Sequence, residues 1–127
     1  MPVAVVHSIA KFIISVGHMS LTEQKCLPCE GIGRTLTTAE AQSKLQEVPG
    51  WSIVELAIER EFTFKDFVAA LAFVNQVGEV AESEGHHPNI TLHSWNKVKL
   101  SLYTHALGGL TANDFIVAAK VNMLQAK

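Results

Sequence analysis

The chain has 127 residues, 48% of them hydrophobic, and a formal net charge of −2. That length supports one domain with a modest core. The near-neutral charge, without a basic stripe, argues against direct nucleic-acid binding, no apolar run is long enough to span a membrane, and two cysteines, Cys26 and Cys29, are too few for a secreted disulfide framework, so a reducing cytoplasm is the default compartment.

Residues 1–34 read as an N-terminal extension. Up to Ser20 they carry one Lys, no Arg and no acid, and Val5, Ile9, Phe12 and Val16 fall on one face of a helix. This is neither a secretory signal nor an Arg-rich transit peptide in form, so an appended, packed segment is expected, with organelle targeting left open. Cys26-Leu27-Pro28-Cys29 follows. Such a pair serves redox chemistry after a strand or half of a zinc site, but neither the strand nor two further ligands are evident, so a coil with two thiols is expected.

Residues 35–127 read as one domain. Thr37-Thr38-Ala39-Glu40 forms a capping box that starts a first helix, with Ala41, Leu45 and Val48 as its apolar stripe and Pro49-Gly50 after it. Trp51 opens a strand carrying Ile53, and Glu55-Leu56 turns the chain. Ile58 to Phe64 alternates, with Ile58, Arg60, Phe62 and Phe64 on one face and Glu59, Glu61 and Thr63 on the other, as a half-buried antiparallel strand does. Asp66 caps a second helix whose core stripe is expected at Phe67, Leu71, Val74, Gly78 and Ala81, ending at Gly85. Asn89 to Ser94 is a third strand, Trp95-Asn96 a turn, and Lys97 to Tyr103 a fourth, with Val98, Leu100 and Leu102 on one face. Thr111-Ala112-Asn113-Asp114 starts a third helix lined by Ile116, Ala119 and Met123. The order α-β-β-α-β-β-α predicts an α+β fold, a four-stranded antiparallel sheet with helices packed on one face.

The chemistry concentrates in Glu82-Ser83-Glu84-Gly85-His86-His87-Pro88. Pro88 ends the helix and pushes His87 toward extended geometry, which fixes two imidazoles at an element boundary. His105 follows the fourth strand, and the start of one antiparallel strand faces the end of its partner, so His105 can approach His86 and His87. Glu82 and Asp114 supply carboxylates to the same region. His7 and His18 are expected to have no role, and His93, alone on a strand, is expected to be a satisfied surface residue. A metal site would use His86, His105 and a carboxylate, but neighbouring strand histidines point to opposite faces and no metal-ligand spacing appears. Proton transfer asks only that one imidazole donate and another accept, with carboxylates setting the tautomers. Histidines acting merely as capping groups are the structural alternative.

Glu82-x-x-x-His86-His87-Pro88, then Trp95, His105 and Asp114 after gaps of six, nine and eight residues, resembles the signature of the pterin-4a-carbinolamine dehydratases. The likeness extends to Pro49-Gly50-Trp51, Phe64-Lys65-Asp66-Phe67, Asn96-Lys97-Val98, Thr104-His105 and Gly109-Leu110, and it covers the chain from about Leu36 onward. Gly85 departs from the Asp that animal members often carry. The resemblance implies a lyase that dehydrates 4a-hydroxytetrahydrobiopterin to quinonoid dihydropterin in tetrahydrobiopterin recycling, with no cofactor and no metal. It implies His86, His87 and His105 as catalytic residues, Glu82 and Asp114 as orienting groups and Trp51 as an apolar wall for the pterin ring, or else a core residue. It also implies a homo-oligomer, tetramer or dimer. Its alternative is a binding module, a dimerisation cofactor of a transcription factor that touches protein and not nucleic acid.

Overall fold

The computed structural model describes residues 20–28 and 31–125. The expectations for Val5, His7, Ile9, Phe12, Val16, His18 and Cys29 lie outside the described residues. A 3-10 turn, Leu21–Glu23, precedes helix α1 (Thr38–Leu45), strands β1 (Ser52–Val54) and β2 (Ala57–Thr63), helix α2 (Phe67–Glu84), strands β3 (Asn89–His93) and β4 (Lys97–Leu102), and helix α3 (Ala112–Gln125). The expected element order is therefore observed, with strand ends displaced by about one residue, as fraying termini allow.

Local chemistry sets the boundaries. Thr37 and Glu40 close the capping box of α1, the Thr37 hydroxyl accepting from the Glu40 amide and the Glu40 carboxylate accepting from the Thr37 amide. Asp66 caps α2 by accepting from the Ala69 amide at 2.8 Å. Gly85 stops that helix in the left-handed region at φ 67°, where a side chain is disfavoured. Its amide and that of His86 both return to the Ala81 carbonyl, so the first histidine is anchored to the helix end.

The strands pair antiparallel in the order β1-β2-β4-β3. Ile58 faces Leu102, Arg60 faces Leu100 and Phe62 faces Val98. Their apolar members are buried beneath the helices with Phe73, Val77, Phe115, Val117 and Val121. Phe73 stacks obliquely against Phe62 and Phe64, with ring centroids 4.7 and 4.9 Å apart. Arg60 sits at the rim of this face. Its Nη1 donates to Pro49 O and Asn122 Oδ1, and its guanidinium covers the Phe62 ring at 4.4 Å. Gly50, at φ +92°, leaves it room, since a Cβ there would lie 2.6 Å from Arg60 Cζ.

Three expectations need correction. The buried stripe of α2 is Ala70, Phe73, Val77 and Ala81, whereas Phe67 and Leu71 are exposed. Apolar residues run right round the first half of α2, so periodicity alone does not select the face that meets the sheet. Met123 of α3 is exposed for a related reason, because α3 is buried on nearly every side before its last turn. Trp51 is a core residue at 4% exposure, edge-on to Phe62 and donating its indole N–H to Asn122 Oδ1, so its ring offers no wall to a ligand.

The corrected stripe yields a direct check. Phe73→Ala, which empties the ring contacts with Phe62 and Phe64, should lower the unfolding free energy by about 3–5 kcal/mol. Urea denaturation should report this as a lower midpoint at unchanged slope.

Candidate active site

The register Asn89↔Ser101 between β3 and β4 brings two chain segments to one end of the sheet. His86, His87 and Pro88 lead into β3, and Tyr103, Thr104 and His105 leave β4. Thr104 bridges back to Gly109 in a tight turn, which carries His105. The first turn of α3 arrives at the same end with Asp114.

Asp114 is the centre of the constellation and has 0% exposure. Its Oδ1 lies 2.7 Å from His86 Nε2. Its Oδ2 accepts from the Thr104 hydroxyl at 2.8 Å and from the Thr111 amide at 2.9 Å. The proton order extends outward. The Thr104 hydroxyl is committed to Asp114, so the Thr111 hydroxyl donates to Thr104 Oγ1 at 2.9 Å, and Thr111 Oγ1 in turn accepts from the Asn113 amide at 3.2 Å. No buried side-chain polar atom among the described residues lacks a partner. A carboxylate only accepts, so the His86 proton sits on Nε2 and Nδ1 is left as the basic nitrogen. The partial positive charge at the N-terminus of α3 favours the anion. The His86 side chain is 11% exposed, so it is held from within and reaches the surface only at its edge.

The other two histidines differ. His87 is exposed, with its Nε2 2.6 Å from Glu82 Oε2. An exposed pair of this kind orients the ring but contributes little to stability. His105 is exposed, stands edge-on to the Tyr103 ring with centroids 4.5 Å apart, and has no hydrogen-bond partner among the described residues. Both carboxylates expected to meet imidazoles do so, each with a different histidine. His93 is satisfied on the open sheet face by Glu61 and Ser94, as expected. Trp95 is an exposed turn residue at φ 57°. Among the described residues no three His, Cys, Asp or Glu side chains are grouped to hold a metal ion. A groove of about 360 Å³ opens beside this end of the sheet, lined by Val54, Glu59, Asn89, Ser101 and Tyr103 among others.

A second polar cluster lies directly behind the first. Glu84, two residues before His86, has a side chain 2% exposed that pairs with Lys120 and Lys25. It also accepts from the Cys26 amide at 2.9 Å. Burial alone would raise this carboxyl, but the hydrogen bonds from Lys120 and Cys26 and the charges of Lys120 and Lys25 outweigh it and hold the carboxyl at about 2. The Cys26 thiol is pushed the opposite way, up to about 12, by burial first and then by the Glu84 charge. A thiol so held is protonated at neutral pH, the reverse of a reactive redox cysteine. Sequence reasoning did not find Thr104, Thr111, Asn113 or Glu84 as members of these networks. Only the capping-box pattern at Thr111 and Asp114 gave a local signal.

The family model of pterin 4 alpha carbinolamine dehydratase matches residues 34–124. An Arabidopsis thaliana protein, pterin-4-alpha-carbinolamine dehydratase 2, mitochondrial, is 46% identical over 110 residues, covering 83% of this chain but only 59% of its own. A Chlorobaculum tepidum protein is 44% identical over 108 residues, which is 82% of this chain and 96% of that protein. Among solved structures, a transcriptional coactivator/pterin dehydratase from Brucella melitensis superposes with a TM-score of 0.67 at 36% identity, over 72% of this chain and 98% of that one. No helix among the described residues is long and apolar enough to cross a membrane.

The Glu84 cluster carries a pH signature. Its carboxyl titrates near the ordinary value of 4.5 when unfolded and at about 2 when folded. A lowered folded value stabilises at every pH above 4.5, and that contribution disappears as pH falls from 4.5 toward 2. Glu84→Gln should therefore be less stable than wild type at pH 7, and denaturant titrations should show the gap closing through the acid range.

Proposed function

Because this chain belongs to the pterin 4 alpha carbinolamine dehydratase family, a family of hydro-lyases, we propose that it removes water from a 4a-hydroxytetrahydropterin by histidine acid/base catalysis, as a step in recycling tetrahydrobiopterin. The observation that carries the mechanism is the gathering, at one end of the sheet, of His86 on a buried Asp114, His87 on Glu82 and a His105 with no hydrogen-bond partner among the described residues. The reaction breaks the C4a–O bond and the N5–H bond, forms C4a=N5, and releases the oxygen as water. It therefore needs one proton given to the hydroxyl on C4a and one taken from the adjacent N5, with no change in oxidation state.

The roles follow from the free nitrogens. His86, with Nε2–H donated to Asp114, offers a basic Nδ1 suited to taking the N5 proton. His105, exposed and without a hydrogen-bond partner among the described residues, is suited to protonating the departing hydroxyl. His87, oriented by Glu82, binds the ring or assists at N5. Asp114 and Glu82 are positioning residues. The groove beside Tyr103 has the volume of a small-molecule site, and a bicyclic ring seated against Tyr103 lies next to His105. Trp51 has no contact role in this reading.

A homo-oligomer fits the exposed apolar face of α2, where Phe67, Val68 and Leu71 face solvent. An apolar face of this kind has a physical reason to be covered by a second copy. Val68→Glu should then shift the sedimentation profile toward monomer, and a wild type that sediments as a monomer at all concentrations removes the idea.

The activity test generates 4a-hydroxytetrahydropterin in situ with a phenylalanine hydroxylase and follows its loss in metal-free buffer. Wild type should exceed the spontaneous rate. His86→Ala and His105→Ala should each lose about 10²–10⁴-fold in rate while remaining folded. Asp114→Asn should lose a comparable factor, because an amide can donate to Nε2 and so favour the wrong tautomer. A wild type no faster than the spontaneous reaction refutes the activity.

A further inference from the structure

The segment before the family match is tied to the site by backbone hydrogen bonds. Residues 25–27 cross from the C-terminal turn of α2 to the first turn of α3. At the α2 side, Lys25 Nζ donates to Ser83 O at 3.2 Å and the Cys26 amide donates to Glu84 Oε1 at 2.9 Å. At the α3 side, the Leu27 amide donates to Asn113 Oδ1 at 2.9 Å and Asn113 Nδ2 donates back to Leu27 O at 2.7 Å. The Cys26 thiol also donates to Asn113 O at 3.6 Å. Asn113 is buried and imitates a strand partner, giving and taking one bond with the same residue.

These anchor points are not arbitrary. Glu84 is two residues from His86, and Asn113 adjoins Asp114. The Asn113 amide also begins the chain of bonds through Thr111 and Thr104 that ends on Asp114 Oδ2. His86 and Asp114 come from different elements, and their 2.7 Å contact requires the end of α2 and the start of α3 to keep their separation. The described part of the N-terminal extension spans that separation and is bonded to both sides.

We propose that Lys25-Cys26-Leu27 is a positioning strap, a clamp that holds the end of α2 against the start of α3 and so sets the His86–Asp114 distance on which proton transfer depends. Leu27 enters it through its main-chain amide and carbonyl, and the residue is 57% exposed. The activity arm of this inference rests on the dehydratase reading, whereas its structural arm does not.

The test uses that separation of backbone from side chain. Leu27→Pro in the full-length chain deletes the amide that donates to Asn113, while Leu27→Ala keeps it. Asn113→Ala removes the same clamp from the other side, should Leu27→Pro fail to fold. Two readouts are taken at 25 °C on folded protein. One is the dehydration rate split into kcat and KM. The other is the downfield imidazole N–H proton of His86 in water, assigned by its absence from His86→Gln. The strap predicts that Leu27→Pro lowers kcat by about tenfold or more with KM little changed, as misplacement of a proton-transfer group does. It also predicts that the proton signal broadens or disappears, and that Leu27→Ala behaves as wild type. If the Leu27→Pro and Asn113→Ala variants keep both signal and kcat while only melting earlier, the segment is merely structural and the proposal is overturned. A fall in kcat with the proton signal intact overturns it equally, because the effect then bypasses His86. If wild type has no dehydratase activity, the proposed function fails, and the proton signal alone decides the clamp.

Discussion

Asp114 has no access to water, so every bond that keeps its carboxylate in the protein must come from the protein. A buried, unpaired carboxylate costs several kcal/mol, and leaving even part of it unsatisfied is expensive. This constraint organises the end of the molecule where the sheet, α2 and α3 meet. Thr104 and Thr111 meet Oδ2, and His86 must meet Oδ1. Satisfying the anion and aiming the histidine are thus one event. The fold cannot bury Asp114 at low cost without also fixing which ring nitrogen of His86 carries a proton.

The three imidazoles occupy three different situations. His86 is held by Asp114 and half of its chemistry is already committed. His87 is oriented by an exposed carboxylate that water can replace. His105 is carried on the turn after β4 with its nitrogens unused among the described residues. A dehydration that must give one proton and take another benefits from this inequality, because identical histidines in identical surroundings would not be assigned opposite duties. The cluster around Glu84 is a separate network with a separate task. Its three donors, Lys25, Lys120 and the Cys26 amide, stitch the N-terminal strap and α3 to the end of α2. They keep a carboxylate ionised where burial works against the charge.

Much of this was legible in the residues. Capping chemistry located the starts of α1 and α2, Gly85 its end, and the alternation from Ile58 to Phe64 the inner face of the sheet. Antiparallel pairing implied that the segments before β3 and after β4 reach the same end of the sheet, as the Asn89↔Ser101 register has it. What was not legible has physical causes. Phe67, Val68, Leu71, Phe73 and Val74 are all apolar, so the face of α2 that meets the sheet is chosen by Phe62 and Phe64 across the gap and not by periodicity. Trp51 reads alike as a wall or a core residue until Asn122, seventy-one positions away, is seen to accept its indole proton. Thr104, Asn113 and Glu84 are ordinary polar residues whose partners are fixed only by tertiary structure. The role of the Cys26 region was hidden for the same reason, since its bonds to Glu84 and Asn113 run largely through the main-chain atoms of Cys26 and Leu27, which carry no sequence signature.

The central claim is that Asp114 holds His86 as the Nε2–H tautomer with Nδ1 free for the substrate. Long-range proton–nitrogen correlation spectra of the wild-type imidazole, above the pH at which the ring becomes neutral, test this without reference to any reaction. The account predicts one protonated nitrogen at Nε2 and one unprotonated nitrogen at Nδ1, in a single state. A ring found with its proton on Nδ1, or averaging between the two nitrogens, would mean that the buried carboxylate does not set the tautomer, and the assignment of His86 as the base would fall with it.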